Sequence, residues 1–256
     1  MKRRKLKIVT VCTVLAAGLM MASCGIGDMV NEIVSEVVEG ATGLAFEEMG
    51  GGDVYSLGVV NGWQGDVLVT LANNAVSIQF HAHDEVRIEY SAPSRGRYVV
   101  PDFSIVSGRV EITEPIGNTS FGTDDRPGVV YVYLPESVVV GNMDLRAANG
   151  AVRIIGNDAR MADAIEISVT NGIVDLQSLS ADEVLATTVN GTISGGAITA
   201  ETVELRTTNG VITLRNSEVF GNLVARTING GVTIENVDAD MDRADLNAVN
   251  GAVTVR

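Results

Sequence analysis

After residue 7 this chain contains no lysine, and it holds only two cysteines, Cys12 and Cys24, in 256 residues. Cys12 sits in an N-terminal apolar run, so neither a disulfide framework nor a thiolate metal site is available and packing alone must hold the fold. Aromatic residues make up 4% of the chain, and Phe220 is the only one between residues 140 and 256. A core built on large rings is thereby excluded. Five of the 18 basic residues lie in the first seven positions, which leaves thirteen arginines to face 32 acids. So acidic a body repels phosphate backbones and anionic lipid, and no nucleic-acid partner is expected. Glycine, valine, threonine and asparagine are what the chain has in quantity, a mix suited to many short strands joined by tight turns.

The chain opens Met-Lys-Arg-Arg-Lys-Leu-Lys, and an uncharged stretch runs from Ile8 to Ala22. That stretch is shorter than the roughly 20 residues of a membrane-spanning helix and matches the apolar region of a secretory signal. It ends Met21-Ala22-Ser23-Cys24, which resembles the lipobox of bacterial lipoproteins, with Met21 in place of the usual leucine. The resemblance implies removal of residues 1–23, lipidation of Cys24 and attachment to a membrane through that lipid. Two or more acyl chains give stable attachment. An ordinary secretory signal with an incidental cysteine is the alternative. Gly25, where an aspartate would retain a lipoprotein in the inner membrane, permits outer-membrane sorting in an organism with two membranes, with the body on the cell surface or the periplasmic face.

An Asn-Gly pair recurs at Asn149, Asn171, Asn190, Asn209, Asn229 and Asn250, at intervals of 22, 19, 19, 20 and 21 residues. Such a period signals a solenoid whose units bury their faces by stacking on one another. Four residues before each asparagine stand Leu145, Ile167, Ala186, Leu205, Ala225 and Leu246, and alternate positions around them are apolar or small. Beyond the glycine the parity flips, so that Val152, Val174, Ile193, Ile212, Val232 and Val253 point inward. The pair is therefore a corner between two strands, and its asparagine, counted on the inward parity, would form a stacked amide ladder that satisfies otherwise buried polar groups. Independent Asn-Gly hairpins in an antiparallel meander are the competing arrangement. The less regular linker from Asn216 to Asn222 can carry the chain back, which favours the parallel stack.

Degenerate units lie upstream. Val67, Val69, Leu71, Asn73-Asn74, Val76 and Ile78 obey the spacing, and so do Phe103, Ile105, Ser107-Gly108, Val110 and Ile112. The longer intervals there require insertions, a hairpin through residues 86–90 and a strand from Val129 to Leu134 that Pro135 ends. Residues 28–48 carry Met29, Val30, Ile33, Val34, Val37 and Val38 at helical spacing. They predict a short amphipathic spacer helix that also caps the N-terminal end, with a partner-binding helix as the alternative. The organisation read from the sequence is thus a signal at 1–23, a tether with that helix at 24–52, and an all-β body at 53–256 with regular coils from 140 to 256.

The Thr-x-Asn-Gly-x-Ile/Val-x-Leu units, preceded by Tyr-Val-Tyr-Leu-Pro-Glu at 131–136, resemble the putative adhesin families, β-strand-repeat proteins of unknown function related to the head domain of autotransporter adhesins. The resemblance spans residues 55–256. It implies a right-handed single-stranded parallel β-helix of about 20 residues per coil, consistent with the handedness of parallel crossovers. It also implies an adhesin-like or envelope-stress role without catalytic residues.

Chemistry is sparse. An enzyme acting on polysaccharide needs clustered carboxylates on one face; the outward column Asp144, Glu166, Leu185, Glu204, Val224 and Asp245 breaks such a cluster, and the neighbouring arginines suit surface pairing. His81 and His83 with Asp84 have the donor types of a zinc site, but the inward parity of Val76, Ile78 and Phe80 leaves both imidazoles in solvent. Asp238, Asp240 and Asp242 begin like a calcium loop, yet Arg243 and Val249 stand where glycine and glutamate are needed; a calcium contact between coils stays open. Asp124-Asp125 reads as a turn. No nucleophile with a partner histidine, phosphate loop or dinucleotide motif occurs, and no enzyme activity, cofactor or metal is expected. The partners expected are a membrane, through the lipid on Cys24, and an envelope or surface protein or glycan. The last coil, ending at Arg256, presents open strand edges for self-association.

Overall fold

Among the described residues the alternation of inward apolar and outward polar residues builds thirteen strands in one sheet. The computed structural model describes residues 51–93, 99–115, 127–240 and 242–256. The expected helix at 28–48, Cys24 and Asp124-Asp125 lie outside the described residues. The strands are β1 (Gly51–Asn61), β2 (Val67–Leu71), β3 (Ala75–His81), β4 (Glu85–Pro93), β5 (Asp102–Val106), β6 (Arg109–Thr113), β7 (Val129–Pro135), β8 (Val140–Ile155), β9 (Arg160–Asn209), β10 (Ile212–Asn229), β11 (Val232–Ala239), β12 (Asp245–Asn250) and β13 (Val253–Val255). No helix occurs among the described residues.

From β8 onward the pairing is parallel and in register with the repeat. Asn149 pairs with Asn171, Asn209 with Asn229 and Asn229 with Asn250. Ile212 lies between Ile193 and Val232. Like residues therefore stack on like. Met143, Ile165, Val184, Val203 and Leu223 form one buried column, and Val152, Val174, Ile193, Ile212 and Val232 form another. These columns belong to a continuous core that runs the length of the stack. Each buried β-branched or leucine side chain contributes about 1.5–3 kcal/mol, summed over many thin layers rather than concentrated in rings. Where the core column reaches Gly195, the Cδ1 methyls of Ile198 and Leu214 fill the space a side chain would take.

The first degenerate unit joins the stack. β2 pairs in parallel with β8, Val67 to Met143 through Leu71 to Ala147, and β3 pairs with β8 through Val76 and Val152. The second unit departs from expectation. Ser107-Gly108 is a hairpin turn, not a corner: β5 and β6 are antiparallel, with Val106 opposite Arg109. Both turn residues have positive φ, 53° and 81°, the backbone that a two-residue hairpin demands and that folds the chain back on itself. β6 alone enters the stack, alongside β2. The segment through residues 86–90 also differs, because β4 pairs antiparallel with β1 and β7 rather than with its chain neighbour β3. β7 is inserted between β3 and β4.

The linker read as irregular is a second regular corner. Asp158, Ser178, Ala197, Asn216 and Asn236 all have φ between 49° and 64°. They recur every 19 or 20 residues, a period that the varied residue types at this corner conceal.

Candidate functional site

The asparagine corner is the most regular feature. Each asparagine donates its side-chain N–H to the Oδ1 of the one a coil earlier: Asn171 to Asn149, Asn190 to Asn171, Asn209 to Asn190 and Asn250 to Asn229 at 2.8 Å, and Asn229 to Asn209 at 2.7 Å. Asn149 donates in turn to Asn73 at 3.1 Å, so the ladder joins seven asparagines through six rungs. The inward placement expected for these amides is overturned. Asn149, Asn171, Asn190 and Asn250 are exposed and the other two half-exposed. The residue before each asparagine also faces outward, so two successive side chains point away from the core and the ladder runs along an outer edge. The buried polar group of the motif is instead the threonine two residues earlier. Thr207 and Thr227 donate to the carbonyls of Gly191 and Gly210, one coil back.

The glycine has a packing reason. A Cβ on Gly172, Gly191, Gly210, Gly230 or Gly251 would fall on the carbonyl oxygen of the glycine one coil earlier. Close approach between backbones, more than φ, reserves this position for glycine.

At the ladder's first rung a buried carboxylate caps the corner. Oε2 of Glu114, itself 3% exposed, accepts the backbone N–H groups of Ala72, Asn73 and Asn74 at 2.8, 2.9 and 3.2 Å. Asn74 beside it accepts from the Tyr90 hydroxyl and the Gly128 N–H and donates to the Val99 carbonyl. Both residues tie the inserted strands to the first coil.

The outer columns before the asparagine carry surface ion pairs. Arg146 pairs with Asp144 at 2.7 Å, Arg206 with Glu204 and Arg226 with Asp245 one coil on. Arg160 joins Asp163 and Asp182 across two coils, and its hydrogen bond to Asp163 raises its affinity for the proton further. Such exposed pairs contribute little each.

The columns four and six residues beyond the asparagine are different, and the sequence reading did not reach them. The first runs Arg153, Asp175, Ser194, Thr213, Thr233 and Thr254; the second runs Ile155, Gln177, Gly196, Arg215, Glu235 and Arg256. They share the face turned away from the core. Across the sheet this face continues through Ser77 and Gln79 of β3 to Tyr131 and Tyr133 of β7 and Glu89 and Arg87 of β4. Arg153 bonds Asp175 at 2.8 Å, and that carboxylate is 3% exposed. Gln177 donates to the same carboxylate at 3.1 Å, and Arg215 bonds Glu235 at 2.9 Å. Between Gln177 and Arg215 stands Gly196, whose missing Cβ would meet nothing within 4 Å. The gap opens a cavity of ≈ 390 Å³ lined by Arg153, Asp175, Gln177, Ser194, Gly196 and Arg215, with Ser178, Gly195, Ala197 and Asn216 around them. A single small residue in an otherwise bulky outward column was the available sequence signal.

On β7 the rings of Tyr131 and Tyr133 stack with centroids 6.3 Å apart, and the Arg87 guanidinium lies 4.4 Å from the centre of Tyr133. Burial pushes the Tyr133 phenol above its ordinary value, Glu89 adds to the shift and Arg87 opposes it. His81 stands edge-on to Tyr133 and its Nε2 lies 2.8 Å from the Glu85 carbonyl. His81 is thus half-buried at the end of β3, not free in solvent; His83 is exposed. Asp84 accepts from the Ser137 hydroxyl. Asp238, Asp240 and Asp242 are all exposed, and Arg243 pairs with Asp240 at 3.3 Å. Among the described residues no three histidine, cysteine or acidic side chains converge as a metal site would require.

Comparison with known families places this architecture. The Toastrack DUF4097 family model matches residues 67–256. The chain belongs to the Toastrack DUF4097 family. That span begins at β2, where the parallel stack itself begins. Two solved structures are similar at 10% identity. One, described as a putative cell adhesion protein from Clostridium sporogenes, covers 80% of this chain and 99% of its own at a TM-score of 0.42. The other, described as a putative adhesin from Bacteroides fragilis, covers 80% and 97% at 0.43. No curated protein matches the chain.

Proposed function

We propose that this Toastrack protein is a lipid-anchored, non-catalytic binding module of the bacterial cell envelope, adhesin-like in using a rigid outer face to hold a partner. The observation that carries the reading is the way charged and polar outward side chains are locked to one another across coils, as in Arg153–Asp175–Gln177 and Arg215–Glu235. Groups held in this way present a fixed pattern to a partner and are poorly placed for proton transfer. The finer architecture belongs to the same proposal: a right-handed single-stranded β-helix of about 20 residues per coil, supported by parallel pairing at that interval. So do the division at residue 23 and the anchoring through Cys24, which rest on the basic, apolar and small-residue pattern that ends there, and the division at residue 52, which rests on the Gly50-Gly51-Gly52 run. Self-association belongs to the same proposal, with support from the exposed apolar side chains of Val249, Val253 and Val255 on β12 and β13.

Protease shaving of intact cells, with mass spectrometry of the mature N-terminus, tests the reading. Acylated Cys24 and a body released by the protease are the expected results. A body protected in intact cells would replace adhesion with an envelope-sensing role, and an unmodified Cys24 would remove the anchor.

A further inference from the structure

We propose that the notch over Gly196 is a subsite for one ring of an uncharged glycan chain laid along the outer face towards Gln79 and Tyr133. The proposal rests on the binding-module reading and names its ligand class and site.

Three observations support it. The notch is built by the repeat itself, because Gly196 pairs with Arg215 in the register where neighbouring coils carry long polar side chains. Its volume of ≈ 390 Å³ lies within the range of small-ligand sites. Nothing occupies the space above the Gly196 Cα, so a flat ring can rest on the backbone while side chains reach its rim.

Charge then selects the ligand. Arg153 is matched by Asp175 within the lining and Arg215 by Glu235 one coil beyond it, so each guanidinium at the notch is already neutralised by a carboxylate. An anion or cation entering would gain from one wall what it lost to the other, and the acidic body as a whole disfavours anions. Hydroxyl groups each donate and accept. A ring bearing neighbouring hydroxyls can therefore use the guanidinium edges, the Gln177 amide and the Ser194 hydroxyl together, with Asp175 holding Arg153 and Gln177 in place. These planar groups are already oriented by bonds to each other, which lowers the entropy lost on binding.

The face continues in one direction. Gln177 is in register with Ile155, Ile155 with Gln79 and Gln79 with Tyr133. At about 4.8 Å per strand, the tyrosine pair stands roughly 19 Å from Gly196 along the stack axis. Tyrosine combines an apolar body with a polar tip, the surface that suits a sugar ring. An extended oligosaccharide spans both features, which a single sugar does not.

The test is calorimetric titration of the full chain with neutral hexasaccharides of glucose, mannose and N-acetylglucosamine, beside polygalacturonate and heparin as acidic probes. Gly196→Gln continues the outward column and meets open space, so its unfolding curve should overlay the parent's while it closes the notch. Saturable binding of a neutral hexasaccharide, weakened about tenfold or more by Gly196→Gln as a ring and its hydrogen bonds are shut out, is the expected result. Gln177→Ala should weaken it less, and Arg226→Ala, on another face, should leave it unchanged. Binding that Gly196→Gln does not alter, preference for the acidic probes, or no binding to any probe would overturn the subsite. If those negative results accompany retained binding of the chain to intact cells or matrix, the binding-module reading survives without it. New reducing ends released from a hexasaccharide would overturn the binding-module reading itself.

Discussion

Asn190 donates to Asn171 and accepts from Asn209, whereas Asn250 at the ladder's end makes a single rung, to Asn229. At about 0.5–1.5 kcal/mol net per bond, Asn190→Ala should cost about 1–2 kcal/mol and Asn250→Ala about half as much, read from urea midpoints. The two glycine kinds separate more sharply. Gly191→Ala drives a methyl into the Gly172 carbonyl and should lose ~1–3 kcal/mol by overpacking. Gly196→Ala enters open space and should shift stability by less than about 0.5 kcal/mol. Equal effects in thermal melts would sink the close-approach explanation. Glu114→Ala strips one acceptor from three backbone amides. A loss of ~3 kcal/mol is expected, the scale of hydrogen bonds to a buried charge.

Among the elements, the second corner holds a removable strain. Ala197 adopts φ 52°, a left-handed conformation that costs a residue with a Cβ about 1–2 kcal/mol. Asparagine tolerates that conformation, and the two asparagines that follow in this column already bond each other at 2.8 Å. Ala197→Asn should therefore raise stability by about 1 kcal/mol through relaxed backbone and an added rung to Asn216. An unchanged or lowered melting temperature would show that the corner is not strained. The β5–β6 hairpin is governed by the same chemistry at Ser107 and Gly108. Its tip is held by Trp63, whose indole N–H donates to the Gly108 carbonyl at 2.8 Å.

For the whole molecule, stability is a sum over neighbouring coils, so protection should be graded along the stack. β10 is flanked by β9 on one side and by β11 and β12 on the other, while β13 pairs through three residues with β11 alone. Hydrogen exchange should release Val253–Val255 first and Ile212 and Leu214 last. Uniform exchange across the coils would indicate one cooperative unit instead.

Period, parity and the Asn-Gly spacing by themselves determined the stack, because in-register coils bring every repeated residue onto its own kind and the pattern is visible in one dimension. Columns two to six residues before the asparagine, and the core columns after it, were all legible. The remaining features depend on non-local pairing. Whether Ser107-Gly108 is a corner or a hairpin turns on two φ values, and β7 enters between β3 and β4 from far along the chain. The ladder's exposure follows from two successive outward residues at the corner, which a strict alternation cannot represent. Glu114 caps a corner some 40 residues distant, with no local pattern to announce it. The notch at Gly196 exists because a glycine is flanked by long side chains from the coils above and below, neighbours that the sequence separates by 19 residues and the fold sets one strand apart.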